Sequence, residues 1–278
     1  MTEDGAVTEF LLANEPFIRL AAFIGVFAAM ALLEVWLPRR RRTVSRWLRW
    51  PNNMGLTFLN TMLVRVLFPT ALAGVALFAE TRDLGILRWL GLPEIVAVVI
   101  AVLALDLVIY AQHVVLHMVP LLWPLHRVHH ADVEVDVTTG FRFHPLEIFL
   151  SLAIKGVVVV VLGAPVAAVV VFEVLLSATS LFNHANVRLP RGVERILRAV
   201  VVTPDMHRVH HSIERQERDS NFGFNLPWWD RLFGTYRAEP ALGHEAMTLG
   251  LPGFRERREI WLDRLLLHPV LDDKTRRG

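Results

Sequence analysis

The chain has 278 residues, 54% of them hydrophobic and 20% charged, with a mean hydropathy of +0.42. That balance is too apolar for an ordinary soluble domain of this length and reads as an integral membrane protein. A net charge of only +2 gives no sign of a nucleic-acid partner, and the absence of Cys excludes disulfides, thiolate-bound zinc, Cys-ligated iron-sulfur clusters and a Cys nucleophile.

About 20 apolar residues cross the roughly 30 Å hydrocarbon core of a bilayer. In chain order, four regions meet that rule: Phe17 to Leu37, Gly55 to Ala79, Ile95 to Val115, and Leu146 to Phe182. The last is too long for one span, and Gly163-Ala164-Pro165 within it is a turn signal that folds it into a hairpin of two short helices. The expected fold class is all-α: an integral membrane bundle of about four spanning helices, the last region a hairpin, with a cytoplasmic helical cap. Three parts are expected along the chain: N-terminal membrane helices with an Arg-rich loop over 1–94, a histidine-bearing region over 95–237, and a basic cytoplasmic tail over 238–278.

Basic residues near span ends are retained on the cytoplasmic side. Residues 1–16 carry four acids and no base, whereas Arg39, Arg40, Arg41, Arg42, Arg46 and Arg49 follow the first span, so that span is expected to end inside. The acidic start also argues against a cleavable signal peptide. Threading onward leaves 183–278 in the cytoplasm. Lys155 and Glu173 lie at similar distances on either side of the Gly163 turn, so they either pair across the hairpin or Lys155 snorkels alone. Arg65 and Asp106 interrupt apolar spans and are expected to face protein or water.

Histidine is the unusual component, with 12 copies, none in the first two spans. Along the third span Asp106, Tyr110, His113 and His117 recur at four, three and four residues, which puts them on one face of an otherwise apolar helix. The pentapeptide His-Arg-Val-His-His then occurs twice, as His126, His129, His130 and as His207, His210, His211. In a helix the i, i+3, i+4 spacing aims all three imidazoles the same way. Eight buried imidazoles without partners would cost on the order of 1 to 3 kcal/mol each, and neutral imidazole is a good ligand for iron, zinc and copper. One metal cannot absorb eight histidines. Two six-coordinate irons offer twelve positions, leaving a few for water, an oxygen-derived bridge or substrate. Neither the Glu-x-x-His repeat of carboxylate di-iron proteins nor a His-Glu-x-x-His zinc motif occurs.

His113-x-x-x-His117, then Leu122-Trp123-Pro124-Leu125-His126-Arg127-Val128-His129-His130, then Thr203-Pro204-Asp205-Met206-His207-Arg208-Val209-His210-His211, resemble the fatty acid hydroxylase and sterol desaturase superfamily of membrane non-haem di-iron oxygenases. Phe141 to Glu147, Phe182 to Val187, Asn221-Phe222-Gly223 and Trp229 to Thr235 match its style, so the resemblance covers about residues 95–237. It implies two irons held by His113, His117, His126, His129, His130, His207, His210 and His211, with His184 completing the set. With O2 as co-substrate they would hydroxylate or desaturate a lipid-like substrate such as a sterol or fatty acyl chain.

Asp106, Tyr110 and His144 are the other catalytic candidates. Asp106 is expected either to hold an imidazole in its tautomer or to line a water pocket, and His144, before Pro145, either to cap a helix or to add a ligand. His244 and His268, in the Arg-rich tail, are expected to be solvated, and Trp228 and Trp229 to anchor at the membrane interface. No Gly-x-Gly-x-x-Gly fingerprint is present, so no bound nucleotide is expected and electrons must come from a separate reductase or ferredoxin. The basic tail either docks such a carrier or sits on anionic headgroups. Two other classes compete. A metal transporter or sensor would distribute its ligands along a permeation path, and a membrane cytochrome would use one axial pair per haem and leave most of these histidines unexplained.

Overall fold

The structure is a computed structural model that describes residues 3–68 and 70–271; residues 272–278 of the expected basic tail lie outside the described residues. Among those described, all regular structure is helical, and the extended pairings are two isolated bridges, Pro38 with Val187 and Ser212 with Leu249. The first elements are α1 (Glu3–Trp36), α2 (Arg46–Leu67), α3 (Ala71–Thr81), α4 (Ile86–Trp89) and α5 (Glu94–Met118). There follow α6 (Trp123–His130), α7 (Pro145–Leu162), α8 (Val166–Asn183), α9 (Arg191–Leu197), α10 (Pro204–His210), α11 (Arg215–Arg218) and α12 (Trp228–Leu232). Five helical stretches are long and apolar enough to cross a membrane: Thr8–Trp36, Arg46–Trp89, α5, α7 and α8.

The second apolar region is not one continuous helix. α2 ends at Leu67, Phe68 has left helical geometry at φ −135° and ψ 65°, and α3 begins at Ala71. The sequence carries Pro69 there, and a residue before proline is steered out of the helical region. α2 and α3 nevertheless follow α7 in one direction: Asn60 donates to the Phe143 carbonyl at 2.8 Å, the Phe68 and Phe149 rings lie 5.8 Å apart, and Gly85 reaches Gly163.

That last contact explains the hairpin. Gly163 closes α7 in the left-handed conformation (φ 66°), and a Cβ on Gly85 (φ 105°) would lie 2.0 Å from the Gly163 nitrogen. Only glycine at 85 permits the approach. α7 and α8 have 18 residues each, about 27 Å at 1.5 Å per residue, so each just reaches across. Their apolar faces, with α3 and α5, enclose a core that includes Leu72, Ala76, Ala101, Leu105, Val159, Val169 and Phe172. Both open ends of the hairpin, at His144 and His184, point to the end of the bundle where α5 finishes.

Lys155 and Glu173 do pair, at 3.2 Å, and a third partner is present: Arg19 of α1 lies 2.7 Å from Glu173 and 2.6 Å from Glu15. The network satisfies charges that would be costly alone in hydrocarbon. Arg65, by contrast, is exposed in the last turn of α2 rather than turned into protein.

A second buried network fixes the segment after α6. Arg49 is fully buried and holds Asp132 (2.6 Å) and Asp136 (2.6 Å), while Arg142 donates to the Val128 carbonyl and lies 3.8 Å from Asp132. Burial alone would raise the Asp132 carboxyl, but Arg49 and Arg142 hold it at about 2. Replacing Arg49 with Met should therefore cost about 3 to 5 kcal/mol, the usual penalty for orphaning a buried charge. The check is the melting temperature in detergent, with Asp132→Asn added in the same chain expected to recover part of the loss.

Candidate metal centre

Nine histidines converge where α5, α6, α8 and α10 meet. His113, His117, His126, His130 and His210 form one group and His129, His184, His207 and His211 a second, with the nearest nitrogens of each group within 4.8 Å of one another. The placement follows from helical spacing. α5 presents His113 and His117 one turn apart, and α6, entered through Pro124 in its first turn, folds back under it so that two rungs form: Nε2 of His113 to Nε2 of His126 at 3.0 Å, and of His117 to His130 at 3.1 Å. α10 supplies His207, His210 and His211 from a helix whose N-cap, Thr203, accepts from the Met206 backbone. His184 ends α8, and its Nε2 sits 3.0 Å from those of both His129 and His207.

The outer nitrogens set the tautomers. Nδ1 of His113 donates to the Phe222 carbonyl (2.8 Å), of His184 to the Ser180 carbonyl (2.7 Å) and of His210 to the Ser220 carbonyl (2.7 Å). Carboxylates take the same part for two others: Glu147 lies 2.7 Å from Nδ1 of His126 and Asp219 lies 3.3 Å from Nδ1 of His117. With the proton on Nδ1, each Nε2 presents a bare lone pair inward. Lone pairs facing each other at 3.0 Å repel unless a cation lies between them. Buried nitrogens without a hydrogen-bond partner add to the same picture: Nδ1 of His129, His130 and His207, Nε2 of His210, and both nitrogens of His211. The donor set thus fits metal, and outer partners of this kind orient metal-binding imidazoles.

Burial, reinforced by the neighbouring imidazoles, holds His129, His130, His207, His210 and His211 well below the ordinary histidine value, and brings His184 to about 4. All six are therefore neutral, and competent as ligands, at neutral pH.

The three remaining candidates lie outside both groups. Asp106 touches no imidazole: its carboxylate accepts from the Trp229 indole at 2.8 Å and from the Asn225 and Leu226 backbone at 3.3 Å. A carboxylate so deep in an apolar helix takes the nearest N–H groups, and the chain at 225–229 supplies three. Tyr110 bonds to Thr235 at 2.9 Å, and Asp230 joins that contact to the centre by holding Thr235 (2.7 Å) and the backbone N–H groups of Phe222 (2.8 Å) and Gly223 (2.7 Å). His144 is the N-cap of α7, its Nδ1 accepting from the Leu146 backbone, while Nε2 contacts the Leu266 carbonyl at 3.2 Å.

His244 and His268 are buried, not solvated, because the tail folds back onto the centre. His244 lies 2.8 Å from Glu239, and His268 lies 3.2 Å from Glu259 while its carbonyl accepts from Arg127 of α6. Trp229 points inward to Asp106, whereas Trp228 is exposed. Sequence reasoning missed Glu147, Asp219 and Asp230. Glu147 and Asp230 stand in the segments Phe141 to Glu147 and Trp229 to Thr235, a usable signal, but nothing local marks Asp219.

Comparison with known proteins now adds to the geometry. The fatty acid hydroxylase family model matches residues 98–235. The ornithine lipid hydroxylase OlsE of Rhizobium tropici is 27% identical over 226 residues, covering 78% of this chain and 66% of that protein. Human alkylglycerol monooxygenase is 31% identical over 140 residues, covering 50% of this chain and 30% of that protein, and the zebrafish (Danio rerio) enzyme is 28% identical over 173. The chain thus spans just under two thirds of the first relative and about a third of the others. No solved structure matches.

Proposed function

Because the chain belongs to the fatty acid hydroxylase and sterol desaturase superfamily, we propose that it is a membrane-bound di-iron oxygenase that hydroxylates or desaturates a lipid, using O2 and electrons from a separate reductase or ferredoxin. One observation carries this reading: five and four imidazoles gathered into adjoining groups with their lone pairs turned inward. The 3.0 Å spacing of paired Nε2 atoms is short enough for both nitrogens of a pair to bind one metal at the roughly 2.1 Å of a metal-imidazole bond. A metal transporter would need ligands strung along a span, and a haem needs one axial pair, whereas these groups are compact and sit at one end of the bundle.

Two irons would supply O2 activation and oxidation of an unactivated C-H bond. The chain's own part is to hold and orient. His113, His117, His126, His130 and His210 would bind one iron and His129, His184, His207 and His211 the other, with tautomers fixed by Phe222, Ser180, Ser220, Glu147 and Asp219. Phe222, Phe224 and Phe143 pack against the imidazoles and keep water out. Asp230, Asp106 and Tyr110 act at one remove, by positioning the segment that carries the Phe222 carbonyl.

The Arg-rich loop lies at the histidine end, where Arg39 reaches Asp205 at 3.1 Å, which supports a cytoplasmic centre. The ornithine lipid hydroxylase resembles this chain over the longer stretch, so the favoured substrate class is a polar, acylated membrane lipid. Lipid profiling of cells with and without the intact gene tests the reading. The expected difference is a lipid heavier by one oxygen or lighter by two hydrogens, lost again in a His129→Ala strain. An unchanged profile, together with purified protein that holds no iron, would reject it.

A further inference from the structure

The exposed surface of α9 and α12 has a composition at odds with an aqueous cap. Val193, Ile196, Val200, Trp228, Leu232 and Phe233 are between 45% and 72% exposed. They form one patch, because the Trp228 indole donates to the Ala199 carbonyl at 2.8 Å and Arg231 donates to the Arg198 carbonyl. Arg191 and Arg195, both exposed, stand on the same helix as the first two of these residues.

The depth of the patch can be read from α5. That helix starts at Glu94, after the Gly85 turn that packs on Gly163, and ends at the histidines. At 1.5 Å per residue, Asp106 lies about 18 Å and Tyr110 about 24 Å from its start, both inside a hydrocarbon core about 30 Å thick. The segment carrying α12 hangs from these two side chains: Asp106 holds Trp229, Asn225 and Leu226, and Tyr110 holds Thr235. On the other side, Asn183 of α8 donates to the Phe224 carbonyl at 3.0 Å, and Thr179, a turn deeper, bonds to the Asn225 side chain.

We propose that α9 and α12 are not part of a cytoplasmic cap but lie within the near leaflet of the bilayer, with their apolar patch in contact with phospholipid chains and Arg191 and Arg195 at headgroup level. Asp106 then has a role that accounts for a carboxylate in mid-span: it pins this wedge at depth by satisfying three N–H groups that hydrocarbon would leave unbonded. The wedge also abuts the centre. Phe233 stacks on Tyr110 (5.5 Å between rings), Tyr110 meets Phe222 (6.4 Å), and Phe222 meets His117 (5.1 Å), so a run of rings leads from the lipid-facing surface to the first histidine group.

The inference does not depend on the oxygenase reading, and the Cys-free chain makes it directly testable. Ile196→Cys, Leu232→Cys and Glu256→Cys, each in the full chain, carry a nitroxide label after reconstitution into phosphatidylcholine and phosphatidylglycerol vesicles. All three positions are exposed, and Val193→Cys repeats the measurement should a label disturb either helix. Collision with dissolved O2 is expected to exceed collision with a water-soluble nickel chelate severalfold at 196 and 232, with the order reversed at 256. Nickel accessibility at 196 and 232 equal to that at 256 would overturn the proposal and mark the patch as a surface for a protein partner.

Discussion

His184→Ala is expected to empty the second histidine group and to reduce turnover by at least 100-fold. This imidazole is the hub of its group, 3.0 Å from both His129 and His207, and its Nδ1 is already committed to the Ser180 carbonyl. Its loss leaves three imidazoles where the other group has five. Loss of an outer partner alone commonly costs 10- to 100-fold in metal affinity or activity, so loss of an inner ligand from the poorer group should cost more. His117→Ala, which leaves four ligands behind, should retain more iron. Iron per chain by elemental analysis should fall by about half in His184→Ala, and the melting temperature should fall with it, because bound metal stabilises the folded state by about 2.7 kcal/mol at 100 times Kd. Full iron occupancy with full turnover would remove His184 from the centre. His244→Ala is the control: its imidazole is buried beside Glu239 and belongs to neither histidine group, so that variant should lose stability and keep its iron.

The histidine groups are legible in the sequence because helices impose a period that a metal site can use: i, i+3, i+4 spacing in both pentapeptides and i, i+4 in α5 put each imidazole on a known face. The same local logic finds the Gly163 turn and the Lys155 to Glu173 pair. It fails where a partner comes from elsewhere in the chain. Arg19 joins Glu173 from α1, Asp219 reaches His117 across 102 residues, and Asp106 answers N–H groups more than 110 residues away. His268 misleads for the same reason. Surrounded by charges in sequence, it looks solvated, yet the tail packs back on α6 and buries it. The break at Phe68 has a local cause, the proline that follows, and goes unread because the apolar run through 55–79 is judged by composition, which carries no backbone geometry.

Acid should unfold the metal-stripped protein well above the pH at which Asp132 loses its charge. Burial holds His129, His130, His184, His207, His210 and His211 below the ordinary histidine value of 6.5 in the folded state, with His184 at about 4. Above pH 6.5 they are neutral in both states and contribute no pH dependence. Below it the unfolded chain takes up protons that the folded chain refuses, so stability falls as pH falls, down to the folded value. For His184 the full interval is worth roughly 3 kcal/mol at about 1.4 kcal/mol per pKa unit. His129, His130, His207, His210 and His211 act in the same direction, and a total stability of about 5 to 15 kcal/mol cannot absorb several such losses. Asp132 acts lower: held at about 2, it contributes fully above the ordinary carboxylate value near 3.8 and is lost only as pH drops from there towards 2. Thermal scans of the stripped protein should therefore show the melting temperature collapsing between pH 6.5 and 5. The metal-loaded protein should hold until protons displace the metal from its imidazoles, a release that itself steepens with falling pH. A melting temperature in the stripped protein that stays level from pH 7.5 to 5 would mean that these imidazoles are not buried as neutral groups, and the inward-facing lone pairs on which the metal centre rests would go with them.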